Sequence, residues 1–194
     1  MEKENSVGGR PRSEQARTAV LHAVDDLLVE IGYAEMTMKG IAERAGVSRQ
    51  TVYRWWSSKA EILFEASAID AKHELAIASA DSPLAELIAY LEALVRFLAH
   101  SPAGAAYRAL LGEAQHDGAV AKLLSANDPL GDSARVVIER AFGAEALPFP
   151  PDQATALLIG PAFFWILSGR EPAQLSPRRL AEDFVRDLQA RRSR

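Results

Sequence analysis

Cysteine is absent from the 194 residues, which excludes a disulfide scaffold and thiolate zinc sites and fits a reduced, cytoplasmic setting. Histidine is scarce: His22, His73, His100 and His116 are scattered, with no metal-ligand spacing such as H-E-x-x-H. There is no Gly-rich phosphate loop and no G-x-S-x-G nucleophile elbow. The acid pair Asp25-Asp26 falls on a solvated helix face. The sequence therefore predicts no enzyme, no metal and no cofactor. The first ten residues, MEKENSVGGR, are polar and lack the apolar stretch of a secretory signal. No run alternates with strand periodicity for long, and no internal repeat is evident.

What is present is enough apolar material for a core, 48 % of residues, under a net charge of −4. The charge is unevenly distributed. Residues 1–60 hold nine basic and eight acidic side chains, whereas residues 61–194 hold thirteen and eighteen. A nearly neutral amino-terminal part joined to an acidic body resists indiscriminate attachment to a polyanion.

Helical spacing organises the chain from end to end. Residues 1–12 read as a loose polar arm whose Arg10 and Arg12 could reach a minor groove or phosphate, or as a terminus without a role. Ser13–Ile31 is predicted as a helix striped by Ala16, Val20, Ala23, Val24, Leu27 and Ile31, with Gly32 ending it. Ser58 and Glu61 read as a capping box opening a long helix to about Ala80, striped by Ile62, Ala66, Ile69, His73 and Ile77. Beyond it, Ser82-Pro83, Ser101-Pro102, Asp128-Pro129 and Ser176-Pro177 each place a capping side chain before a proline at the first helical position. Helices are predicted over about 83–99, 102–113, 129–142 and 177–191, with a short one over 118–125 and another over about 152–168. The fold class predicted is all-α, about nine helices. The expected division is an arm (1–12), a three-helix head (13–60) and a larger helical body (61–194).

The segment 83–99 is apolar nearly all round, the mark of a buried central helix. Residues 153–168 carry no charge, yet are too few for a membrane span and contain Gly160-Pro161.

The stretch Thr37–Lys59 carries the functional signal. Thr37 can cap a helix from Met38 to about Ala45, Gly46 can take a left-handed backbone, and Ser48 can cap a second helix from Arg49 to about Trp55. Val52 and Trp56 face inward, leaving Arg49, Gln50, Thr51, Tyr53 and Arg54 outward. So many donors on so short a helix suit a DNA major groove, where Arg pairs with guanine and Gln with adenine. Lys39, Arg44, Arg49, Arg54 and Lys59 stand against Glu43 alone between residues 36 and 60. Thr51, Tyr53 and Lys59 are residue types that hold phosphates. A solvated helical hairpin with ordinary basic residues is the plainer alternative.

The run T-x-x-x-I-A-E-R-A-G-V-S, the T-V-Y-R that follows, and Ser58-Lys59 resemble the tetracycline-repressor (TetR-type) family of bacterial transcriptional regulators. The detailed likeness covers the first third of the chain; beyond it, length and helical pattern match. Two positions depart from the family pattern: Trp55 and Trp56 form the aromatic pair after Tyr53, and Met38 stands where a hydroxyl residue is common. The resemblance implies a homodimeric, cytoplasmic, nucleoid-associated repressor that binds a palindromic DNA operator and is released by a small-molecule effector. The DNA-binding set is then Thr37, Lys39, Ser48, Arg49, Gln50, Thr51, Tyr53, Arg54, Trp55 and Lys59. The implied effector pocket draws on Tyr90, Phe97, His100, Tyr107, Leu111, Phe164 and Trp165, apolar walls with polar tips that describe a core equally well. Leu157, Leu158, Leu167, Phe184 and Leu188 are candidates for a four-helix seam between two copies, intrachain packing being the alternative. Other classes are an architectural DNA-binding dimer without effector control and a helical-bundle enzyme.

Overall fold

The computed structural model describes residues 10–143 and 147–192. Among them are ten α-helices, one 3-10 turn at Pro172–Gln174, and no strand: α1 Arg10–Glu35, α2 Met38–Arg44, α3 Arg49–Tyr53, α4 Lys59–Glu74, α5 Pro83–His100, α6 Pro102–Glu113, α7 Gly118–Ala126, α8 Pro129–Phe142, α9 Pro151–Leu167 and α10 Pro177–Arg192. The all-α fold is as expected. The contacts divide the chain between Ser67 and Ala68, inside α4 and seven residues beyond the expected boundary at Ala60.

In the amino-terminal unit, α1 buries Val20, Ala23, Val24 and Leu27. Gly32 breaks its helical geometry with φ 75°, as expected, and a further turn follows to Glu35. Ile31, expected in the stripe, is 46 % exposed. Helical backbone already begins at Arg10, inside the expected arm; residues 1–9 lie outside the described residues.

In the body, α5 is the central post. It touches α6, α8, α9 and α10 and buries Leu87, Tyr90, Leu91, Leu94, Phe97 and Leu98. Its start is fixed by the Ser82 side chain accepting the Ala85 amide, and α6 follows immediately because Ser101 accepts the amides of Ala103 and Gly104. Gly104 permits this tight junction: a Cβ there would lie 1.8 Å from the Phe97 carbonyl oxygen. Asp128 caps α8 through the Gly131 amide.

The helix from Lys59 ends at Glu74, six residues short of the expected Ala80. Tertiary hydrogen bonds replace helical ones there. Glu74 accepts from the Ser101 hydroxyl at 2.6 Å, and the Ala80 amide donates to Glu86 at 3.1 Å. The buried face of α4 is Ile62, Leu63, Ala66, Ser67 and Ala71, while Ile69 is 41 % exposed. Helix α9 runs through Gly160-Pro161 without ending.

Candidate nucleic-acid interface

The helix-turn-helix is built from hydrogen bonds that local sequence supplies. Thr37 is extended and its hydroxyl accepts the Gly40 amide at 3.0 Å, starting α2. At the other end Gly46 takes φ 67°. The amides of Gly46 and Val47 donate back to the carbonyls of Glu43 and Ala42, a Schellman closure that sets the angle between helices. Ser48 then caps α3 by accepting the Thr51 amide at 3.1 Å, and its hydroxyl lies 2.9 Å from that of Thr51. The backbone of the short α3 is thus held at its amino end by chemistry rather than by length.

Burial orients it. Val52 is wholly buried and Trp56 is 4 % exposed. The Trp56 indole donates to Glu65 at 2.9 Å, and Trp55 meets Trp56 edge-on with centroids 5.4 Å apart. Arg17 lies over the Trp56 ring and 2.7 Å from Glu65 Oε1, off the hydrogen-bond direction, so that contact is an ion pair. The Arg17–Trp56–Glu65 group is not marked by any local spacing, because its members come from opposite ends of the head.

With Val52 and Trp56 inward, Arg49, Gln50, Tyr53 and Arg54 are exposed. Arg49 and Gln50 have no side-chain partner among the described residues, so their donors are free for base edges. Tyr53 is 56 % exposed. Arg54 stacks on the Trp55 ring at 4.9 Å, which holds its guanidinium in a defined place. Lys39 reaches Glu43 at 3.6 Å, an exposed pair of little worth that a phosphate can displace.

Two expected cations are committed elsewhere. Arg44 is gripped by both carboxylate oxygens of Glu30 and lies 3.9 Å from Asp26. The hydrogen bond holds the Glu30 carboxyl below its usual range and pushes the guanidinium further up. Lys59 Nζ donates to the carbonyls of Tyr33 at 2.7 Å and Ala34 at 3.3 Å and sits 4.3 Å from the Tyr33 ring centroid. It neutralises the carbonyl end of α1, where a cation is favoured. The Ser58–Glu61 box is half as expected. Ser58 accepts the Glu61 amide, but the Glu61 carboxylate reaches back to the amide and hydroxyl of Ser57.

Of the seven body residues singled out from sequence, two share a groove. Tyr90 and Phe97 are fully buried. The Tyr90 hydroxyl is paired with Ser133 at 2.8 Å, and burial pushes its pKa above the usual phenol range. His100 is exposed at the end of α5. Tyr107 and Leu111 line a groove of about 510 Å³ with residues of α7 and α9, among them Gly160 and Phe163. Burial, with the nearby Asp128 charge adding, raises the Tyr107 pKa. Phe164 is 66 % exposed, with Arg170 stacked on it at 4.7 Å. The indole of Trp165 donates to the Glu171 carbonyl at 2.9 Å. A second groove, of about 540 Å³, lies between α4 and α8 and contains none of the seven. Of the candidate seam residues, Leu158, Phe184 and Leu188 are buried within the chain, because α10 packs on α5 and α9. Leu157 and Leu167 remain exposed.

A capped, outward-facing recognition helix on a three-helix head, with a helical body downstream, defines a helix-turn-helix DNA-binding regulator rather than an enzyme. The family model "Bacterial regulatory proteins, tetR family" matches residues 20–66, and "Tetracyclin repressor-like, C-terminal domain" matches residues 78–188. The chain is 31 % identical to an HTH-type transcriptional regulator of Bacillus subtilis strain 168, YdeS, over 93 % of this chain and 89 % of that one. The TetR family transcription regulator SCO0332 shares its fold with a TM-score of 0.70 at 26 % identity, covering 90 % of this chain and 97 % of the other. The TetR-family repressor FadR of Thermus thermophilus, solved with lauroyl-CoA, follows at 0.66 and 19 %, covering 89 % and 93 %. The chain belongs to the tetR family of bacterial regulators.

Proposed function

We propose that the protein is a cytoplasmic homodimeric repressor that lays α3 in successive major grooves of a palindromic operator and leaves the DNA when a small molecule binds its body. The observation that carries this reading is the freedom of Arg49 and Gln50 on a helix whose backbone is pinned by Ser48 and Gly46. Bidentate base contacts need side chains with unspent donors on a fixed support. Tyr53, Thr51, Lys39 and the Trp55-backed Arg54 are assigned to phosphates and register. Lys59 is left out of that set because its ammonium is engaged by α1.

The dimer rests on α9. Leu157, Phe164 and Leu167 are 38 %, 66 % and 46 % exposed on a helix whose only charged residue is Asp152. A second copy of the same face would cover them, and an isologous contact presents two heads symmetrically. Release by a ligand requires unequal affinity for the DNA-binding and non-binding conformations; α4 begins in the head at Lys59 and carries residues of the α4/α8 groove. Selection of bound sequences from random duplex DNA tests the reading. A palindrome with half-site centres ~34 Å apart or a multiple of it is expected; recovery of a single asymmetric half-site, or of no preference, contradicts it.

A further inference from the structure

The α4/α8 groove has an unusual wall. Leu75, Ile77, Val136 and Val137 supply apolar surface, and Val136 is left 59 % exposed. Its volume of about 540 Å³ lies within the ~300–1,000 Å³ of small-molecule sites. The charged groups that line it are Lys72, Arg140 and Asp132. Lys72 has no partner among the described residues. Arg140 uses only Nε, at 2.7 Å from Glu86 Oε2, leaving its terminal nitrogens without an acceptor among the described residues. The other oxygen of Glu86, which is 6 % exposed, accepts the Ala80 amide at 3.1 Å. One buried carboxylate thus ties α8 to the segment that follows α4, and the cation it holds faces the groove.

We infer that this groove binds an apolar molecule ending in an anionic acid group, which Lys72 and the free nitrogens of Arg140 receive while its body covers Val136 and Leu75. The identification of this groove as the effector site rests on the ligand-responsive reading above. The acid group shares the Arg140 charge with Glu86, which keeps Nε, so binding weakens the ion pair behind the carboxylate that accepts the Ala80 amide. A cationic ligand meets two like charges against the single Asp132. A neutral one leaves the Lys72 and Arg140 donors unused.

Calorimetric titration of the full-length protein, without DNA, with decanoate, decanamide and decylamine tests this. Decanoate binds at one site per chain, about tenfold or more tighter than the other two. Lys72→Gln, which breaks no internal contact, removes most of that preference and leaves decanamide binding unchanged. Glu86→Gln keeps an oxygen for the Ala80 amide but releases Arg140, so decanoate binds several-fold tighter. Equal affinity for the three probes, a decanoate preference untouched by Lys72→Gln, or weaker decanoate binding in Glu86→Gln overturns the inference. Gel retardation with the selected operator separates the two readings. Charge-selective decanoate binding without DNA release upholds the site and contradicts ligand-triggered release by such acids. Release by an uncharged compound, with no decanoate binding, overturns the site alone.

Discussion

Replacing Lys59 with alanine separates two roles that look identical in the sequence, a phosphate contact and an internal clamp. The side chain donates to Tyr33 at 2.7 Å, donates at longer range to Ala34, and lies over the Tyr33 ring. A hydrogen bond from a charged donor contributes about 1.5–3 kcal/mol, and a cation over a partly exposed ring ~0.5–1. Lys59 is half-buried, so water recovers part of this, and the net loss is about 2 kcal/mol. For a chain of this length that lowers Tm by roughly 4–8 °C. The assay is a thermal melt followed by near-UV circular dichroism, which reports on Trp55 and Trp56, paired with operator affinity across a salt series. A clamp lowers Tm and leaves the slope of log affinity against log salt unchanged. An unchanged Tm with a slope smaller by ~0.9 per lost phosphate contact would refute the clamp and restore the contact.

Gly104→Ala forces a Cβ to within 1.8 Å of the Phe97 carbonyl oxygen; a cost of about 3 kcal/mol is expected, seen as a lower midpoint in urea with unchanged m. Phe164→Glu puts a charge on the exposed face of α9, and light scattering should show the proposed dimer replaced by monomer at micromolar concentration with the helical content retained. Stability also carries an acid window. The guanidinium hydrogen bonds to Glu30 and Glu86 lower both folded-state pKa values below their ordinary 4.5. The two carboxylates therefore stabilise the fold above pH 4.5 and lose that contribution as pH falls through their lowered values. Glu86→Gln should flatten that part of the stability profile, measured by urea midpoints between pH 3 and pH 6.

The head was legible from sequence because each of its joints is local. Thr37 and Ser48 cap within three residues, and Gly46 needs only its own positive φ. The Ser-Pro and Asp-Pro starts of α5, α6, α8 and α10 are local in the same sense. What sequence concealed depends on partners far along the chain. Arg44 looks like one more outward cation until Glu30 and Asp26 from α1 take it up. The end of α4 follows from Glu86 of α5 and from Ser101, the residue between α5 and α6. The environments of the candidate pocket residues were hidden for a similar reason. An aromatic at helical spacing does not declare whether it fills a core, as Tyr90 and Phe97 do, or stands in solvent, as Phe164 does. The α4/α8 groove was invisible because its walls are small aliphatics and its cations sit at unremarkable spacings.

The reading of α3 as the base-reading helix is tested most directly by fluorescence anisotropy on the selected operator and a panel of single base-pair changes. Wild type, Arg49→Ala and Gln50→Ala are compared with Tyr53→Ala. The two base-reading variants should each lose discrimination of about 1–3 kcal/mol at particular base pairs, while Tyr53→Ala weakens binding evenly across the panel. If Arg49→Ala and Gln50→Ala keep the full wild-type pattern of base preference, α3 does not read the operator.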